Sequence, residues 1–144
     1  MDRENEQKKE YLRGYRKHAR RVARIEAEIE ELRSMKMNPS MNNDGMPHGS
    51  GQGDLSGYAA KIEEMEHQLI NERYNRIKSY QEIVLCIGYL KHENEKDVLF
   101  YRYIKGLEWW EIAEKMKYSE RWIHEIHGKA LKNFELPKDF IEVQ

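Results

Sequence analysis

The chain has 144 residues, with 25 Lys and Arg against 26 Asp and Glu, a formal net charge of −1 and 35% charged residues. That length allows one domain, or a small domain with an extension, and such polarity suits long solvated helices carrying narrow apolar seams. The charge balance does not announce a nucleic-acid binder, and the longest apolar run, residues 83–90, is too short to span a bilayer.

From about Arg3 to Met37 there is no proline and a single glycine, Gly14. Leu12, Tyr15, Ala19, Val22, Ile25, Ile29 and Leu32 follow the three-and-four spacing of a coiled-coil seam. The spacing predicts one helix of ~50 Å that needs a partner helix to be stable. Between Lys8 and Arg24 eight basic residues (Lys8, Lys9, Arg13, Arg16, Lys17, Arg20, Arg21, Arg24) face one acid, Glu10, a net of +7. Projected on a helix, Lys9, Arg13, Lys17, Arg20 and Arg24 cluster away from the seam. They read either as a solvated outer face or as a second basic patch directed at phosphates. The N-terminal MDRENEQKKE has no apolar signal-peptide core.

Residues 38–57 hold five glycines and two prolines, Pro39 and Pro47, and break the helix. They read as a flexible linker between antiparallel helices, or as an ordered loop presenting Met41 and Met46 to a partner. Asp54 or Ser56 then offers an N-cap for a second long helix, from about Leu55 to Ile87. Leu55, Tyr58, Ile62, Met65 and Leu69 would form its seam, resumed by Tyr74, Ile77, Tyr80, Val84 and Ile87 after an irregular step. Cys86 is the only cysteine, so no intrachain disulfide can form, and its apolar neighbours suit a buried thiol in a reducing cytoplasm.

After a boundary at Leu90–Asn94, Val98, Leu99, Arg102 and Tyr103 begin a helix that stops at Gly106. Trp109, Ile112, Ala113 and Met116 mark one face of the next helix, with the carboxylate of Glu108 at its positive end. Only Lys117 and Tyr118 remain for a corner. Ser119 is then placed to cap a last helix, whose Ile123, Ile126, Ala130 and Leu131 face the core. Of Trp109 and Trp110, one belongs to the core and one to the surface. Pro137 should end the last helix, leaving Phe134, Leu136 and Phe140 to pack back or bind a partner. The two helices with their short corner read as a helix-turn-helix.

The order vLxxRYIxGLxxxEIAxxMxxSxxxIxxIxxxAL over residues 98–131 resembles region 4, the DNA-reading C-terminal domain of sigma-70 family factors. It is more similar to phage regulators of late transcription with a sigma-like C-terminus, the ArpU/RinA type, whose N-terminal part the segment GMPHGSGQGDLSGYAAKIEEME also resembles. The expectation is an all-α chain: the simplest packing of the two long helices is an antiparallel hairpin, giving an N-terminal part over residues 1–90 with its loop at 38–57, and the resemblance implies a sigma region 4-like domain over 91–144. It implies that Glu120, Arg121, His124 and Glu125 face bases of promoter DNA. Their types are chemically capable, Arg pairing guanine and Glu accepting from cytosine, but differ from the set in housekeeping sigma factors. Ser119, Lys105, Lys115, Lys117 and Lys129 are the candidate backbone contacts, which set register and carry no sequence information.

Catalytic chemistry is not legible. His124 and His127 lie at i, i+3, yet HEIH is not a zinc-protease motif and no third ligand is evident, so both read as exposed histidines. The alternating Gly49, Gly51 and Gly53 lack the strand and Lys-Ser/Thr of a phosphate loop. No metal, cofactor, small-molecule substrate or membrane is expected, and the chain does not read as an enzyme.

From Gly88 to Gln144 ten Lys and Arg stand against eleven Asp and Glu, so this segment alone should grip DNA weakly. Dimerisation, the basic N-terminal helix, or docking on bacterial RNA polymerase, for which Glu108, Glu111 and Glu114 are candidates, would have to supply the remainder. The expectation is a cytoplasmic, nucleoid-associated phage or prophage transcription regulator that binds double-stranded DNA. A small-terminase-like DNA-packaging protein and a helical protein–protein adaptor are the competing readings.

Overall fold

In a computed structural model the chain is described over residues 2–36 and 51–143, and all regular structure among those residues is helical. The helices are α1 (Asp2–Leu12), α2 (Gly14–Lys36), α3 (Gly51–Gly88), α4 (Glu93–Leu99) with a π turn at Phe100–Ile104, α5 (Trp109–Met116), α6 (Glu120–Asn133) and α7 (Lys138–Val143). None among the described residues is long and apolar enough to cross a membrane. The chain divides into two compact units, Met1–His18 with Arg76–Gln144, and Ala19–Asn75. The first unit thus joins the N-terminal helix to the C-terminal helices, a division different from the one read at residue 90.

Within Ala19–Asn75, Val22, Ile25 and Ile29 of α2 pack on Met65 and Leu69 of α3, with Leu32 and Ile62 alongside. Arg33 pairs with Glu66, Glu26 with Arg73 at 2.7 Å, and the Tyr58 hydroxyl donates to the Leu32 carbonyl at 2.9 Å. Later residues of α2 meet earlier residues of α3, so the two run antiparallel in this unit. One apolar stripe on each helix is buried, while the long charged faces stay in water.

The other unit holds two clusters. In one, Leu12 of α1 and Ile83, Ile87 and Leu90 meet Leu99, Tyr103, Ile104, Ala130, Leu131 and Phe134. In the second, Val98, Ile112, Ala113, Ile123 and Ile126 join α4, α5 and α6. The π turn links them: Lys105 N–H donates to Phe100 O at 3.1 Å and Leu107 N–H to Tyr101 O at 3.0 Å. A turn closed at i+5 sets Ile104 over Leu99, so both reach the same core.

Several expected boundaries move. The N-terminal helix is interrupted at Arg13, although Arg13 N–H still bonds Lys9 O at 2.9 Å and Lys17 N–H bonds Arg13 O at 3.2 Å. Asp54 and Ser56, read as caps, lie inside α3, which begins at Gly51; Pro39, Met41, Met46 and Pro47 lie outside the described residues. The expected seam of α3 fails between Leu69 and Ile83, at Tyr74, Ile77 and Tyr80, and holds again at Val84 and Ile87, which reach the core. Tyr74 and Ile77 are exposed, at 64% and 57%, whereas Ile83 is buried. The inward positions between them carry polar groups: Arg76 lies over the Tyr15 ring at 5.6 Å and bonds its hydroxyl at 3.2 Å, and Ser79 lies beside Gly14. The helix keeps its register, and the irregular step came from following apolar residues onto the outer face. Pro137 does not end α6 either. That helix stops at Phe134, whose extended backbone (ψ 135°) turns the chain, and Pro137 precedes α7. The tail packs back, with Phe134 in the core and the Phe140 ring 5.3 Å from Tyr11.

Candidate nucleic-acid interface

The corner between α5 and α6 is built from three devices. Glu108 N–H donates to the Glu111 carboxylate at 2.8 Å, closing the start of α5 in a capping box. Lys117 ends α5 in the left-handed region (φ 62°), and the N–H of Tyr118 reaches back to Ala113 O at 3.0 Å. Ser119 Oγ accepts from Trp122 N–H at 3.1 Å, starting α6. Glu111, grouped above with Glu108 and Glu114 as a partner-facing acid, therefore has its carboxylate engaged in the cap.

On α6, Ile123, Ile126, Ala130 and Leu131 are buried. Glu120, Arg121, His124, Glu125 and Gly128 are exposed. Ser119, Lys105, Lys115, Lys117 and Lys129 are exposed as well. Lys115 lies 5.9 Å from the Tyr101 ring and Lys129 lies 5.2 Å from the ring of Trp122. Lys105 follows the π turn, and Lys117 occupies the corner.

Trp109 anchors the site from below, while Trp110 is 57% exposed. The Trp109 ring lies 4.6 Å from His124 and 4.7 Å from His127, and the Arg102 guanidinium sits 4.3 Å from it. Arg102 also donates to Leu107 O at 2.9 Å, which pins the chain between the π turn and α5.

The two histidines part company. His124 is exposed; His127, expected at the surface, is 8% exposed, with Nε2 2.8 Å from the Tyr103 hydroxyl. Its position at the edge of the core face gives it a place between Tyr103 and Trp109. Burial pushes its pKa down to about 4, helped by the positive charges of Lys9, Arg102 and Arg13 and by the neighbouring His124. Burial likewise pushes the Tyr103 hydroxyl up to about 12, against the pull of Arg13 and Arg102. Among the described residues no group of three His, Cys, Asp or Glu could hold a metal ion.

The basic patch proposed on the N-terminal helix is less bare than its sequence suggested. Lys9 lies 3.7 Å from Glu6, Arg13 lies 3.8 Å from Glu10, Lys17 also pairs with Glu10, and Arg24 lies 3.9 Å from Glu28. Arg20 and Arg24 are exposed in the Ala19–Asn75 unit, whereas Lys9, Arg13 and Lys17 belong to the unit that contains α6. Lys8 is no surface cation. It is 7% exposed and donates through Nζ to Leu131 O at 2.8 Å and Lys132 O at 3.3 Å, neutralising the C-terminal end of α6. Sequence reasoning also missed Arg16 and Arg102 as parts of this surface. Arg16 meets Gly106 only when distant segments come together, whereas Arg102 finds Leu107 and Trp109 within seven positions, across a turn that helical periodicity does not mark.

Comparison with protein-family models, with curated proteins and with solved structures finds no match.

Proposed function

We propose that the chain is a DNA-binding transcription regulator whose α5–corner–α6 segment acts as a helix-turn-helix of the sigma region 4 type, with α6 in the major groove. The reading is supported above all by the division of α6. One flank is locked into the core through Ile123, Ile126 and Ala130, and the other presents Glu120, Arg121, His124 and Glu125 to solvent. A rigid helix with an exposed row of hydrogen-bonding side chains is what groove recognition requires. The resemblance of residues 98–131 supports a phage or prophage regulator of late genes working with bacterial RNA polymerase.

The test is duplex binding by the full chain to promoter fragments selected from host and prophage DNA. Each good base contact is worth about 1–3 kcal/mol of discrimination, so Arg121→Ala should reduce selectivity by about 5- to 150-fold, with a change in the preferred base at one position. His124→Ala should act at a neighbouring position. Affinity and selectivity unchanged in both variants would remove the proposed readout.

A second reading, a helical protein–protein adaptor, draws on the exposed aromatic side chains of Trp110, Tyr118 and Trp122 around the same corner. It expects no DNA binding with or without polymerase, and loss of a protein partner when Trp110 is changed to Ala.

A further inference from the structure

Beside the exposed row of α6 the fold gathers cations from both ends of the chain. The Arg16 guanidinium, from the start of α2, lies directly against Gly106, where an added Cβ would fall 2.3 Å from Arg16 Cζ. Gly106 also has a positive φ of 71°, so the position requires glycine for its backbone and leaves room for the arginine. Arg102 stacks on Trp109, and the exposed Lys105 follows on the next turn of chain. Leu12, the neighbour of Arg13, is buried in one core with Tyr103 and Ile104, which places the end of α1 close to the same corner. Trp109 then connects Arg102 to His124 on the exposed flank of α6.

We infer that Arg13, Arg16, Arg102 and Lys105 form a backbone-phosphate clamp for duplex DNA, set beside the base-reading flank of α6. The inference rests on the reading of α6 as a DNA-contacting helix and supplies the grip that the C-terminal segment, with its net charge of −1, lacks.

The arrangement suits phosphate for four reasons. Guanidinium groups offer planar forks that match phosphate oxygens. Arg16 and Arg102 take no ion pair among the described residues, so no acid must be displaced from them. Arg13 shares Glu10 with Lys17, in a half-exposed cluster that a polyanion can open at little cost. The stacking of Arg102 on Trp109 and the seat of Arg16 on Gly106 hold two of the forks before DNA arrives.

The experiment is binding of the full chain to a random-sequence duplex across a salt series, read by fluorescence anisotropy. Arg13→Gln with Arg16→Gln should lower the slope of log affinity against log salt by about 1.8, at about 0.9 per lost phosphate contact. Arg13→Lys with Arg16→Lys should keep the slope. Glu10→Gln, an exposed change that releases Arg13 and Lys17, should do the reverse, tightening binding and steepening the slope. An unchanged slope in a folded glutamine variant overturns the clamp; should that variant fail to fold, Glu10→Gln with unaltered binding overturns it instead. The two readings separate cleanly. Loss of selectivity in Arg121→Ala with no slope change in the glutamine variant keeps the reading helix and removes the clamp. A lowered slope with selectivity indifferent to Arg121 and His124 keeps the clamp and removes base readout.

Discussion

Lys8 and His127 are buried polar side chains in the same unit, and each is satisfied by a partner more than twenty positions away. Lys8 fills the end of α6 with donors for Leu131 O and Lys132 O. Lys8→Met keeps the stem but leaves those carbonyls without the charge, and should destabilise the fold by about 1.5–3 kcal/mol in urea unfolding. His127 acts through its neutral form. Its folded-state pKa, about 4, lies below the ordinary 6.5, so the unfolded chain binds more protons between those values. Stability from this group is therefore complete above about pH 6.5 and is lost as the pH falls toward 4, by on the order of 3 kcal/mol. His127→Gln, which retains a partner for Tyr103, should flatten that part of the pH–stability profile measured by thermal unfolding. Lys117 holds a left-handed backbone (φ 62°) that a side chain disfavours. Lys117→Gly should raise stability by about 0.5–1 kcal/mol, unless the corner has to move.

At the level of elements, α3 shows how an apolar count can mislead. Tyr74, Ile77 and Tyr80 restart a three-and-four rhythm after an irregular step beyond Leu69, yet they are exposed. Glutamate, arginine and serine at positions 72, 76 and 79 occupy the inward register, and Ile83 and Ile87 resume it with apolar side chains. The Arg76 contact with Tyr15 shows why polar residues are tolerated there: the guanidinium stacks and donates at once. Ile83→Ala should cost about 2–5 kcal/mol, whereas Ile77→Glu should stay within about 0.5 kcal/mol in the same unfolding measurement. A cost at Ile77 equal to that at Ile83 would show that the apolar rhythm, not the polar one, marks the buried side. The α5–α6 corner was far more legible. Ser119 and Glu108 cap through bonds to residues three positions away, so their chemistry is local and spacing is enough to find it.

For the molecule as a whole, the unit that carries α6 is completed from the other end of the chain. Leu12 of α1 has no exposed surface and sits in one core with Ile104 and Leu131. Residues 88–144 made alone should therefore be poorly folded, with an exposed hydrophobic face. The full chain should show a cooperative transition for α6 by hydrogen exchange. A truncated segment with the full chain's amide protection would show instead that α1 is dispensable.

What the sequence determined by itself is whatever depends on neighbours within about one helical turn: helices as the regular structure of the described residues, the stripe Val22–Ile25–Ile29, the capped corner at Lys117–Ser119, and the buried flank of α6 opposite Arg121. Periodicity and capping act over three or four residues, and the chain order contains them directly. Only the tertiary structure decided that Lys8 caps α6, that His127 turns inward to Tyr103, that Arg16 rests on Gly106, and that α3 keeps its inward register through Arg76. Each of these contacts joins residues that sequence separation keeps apart. Their energies come from burial and from charge placed at short distance, neither of which has a local signature.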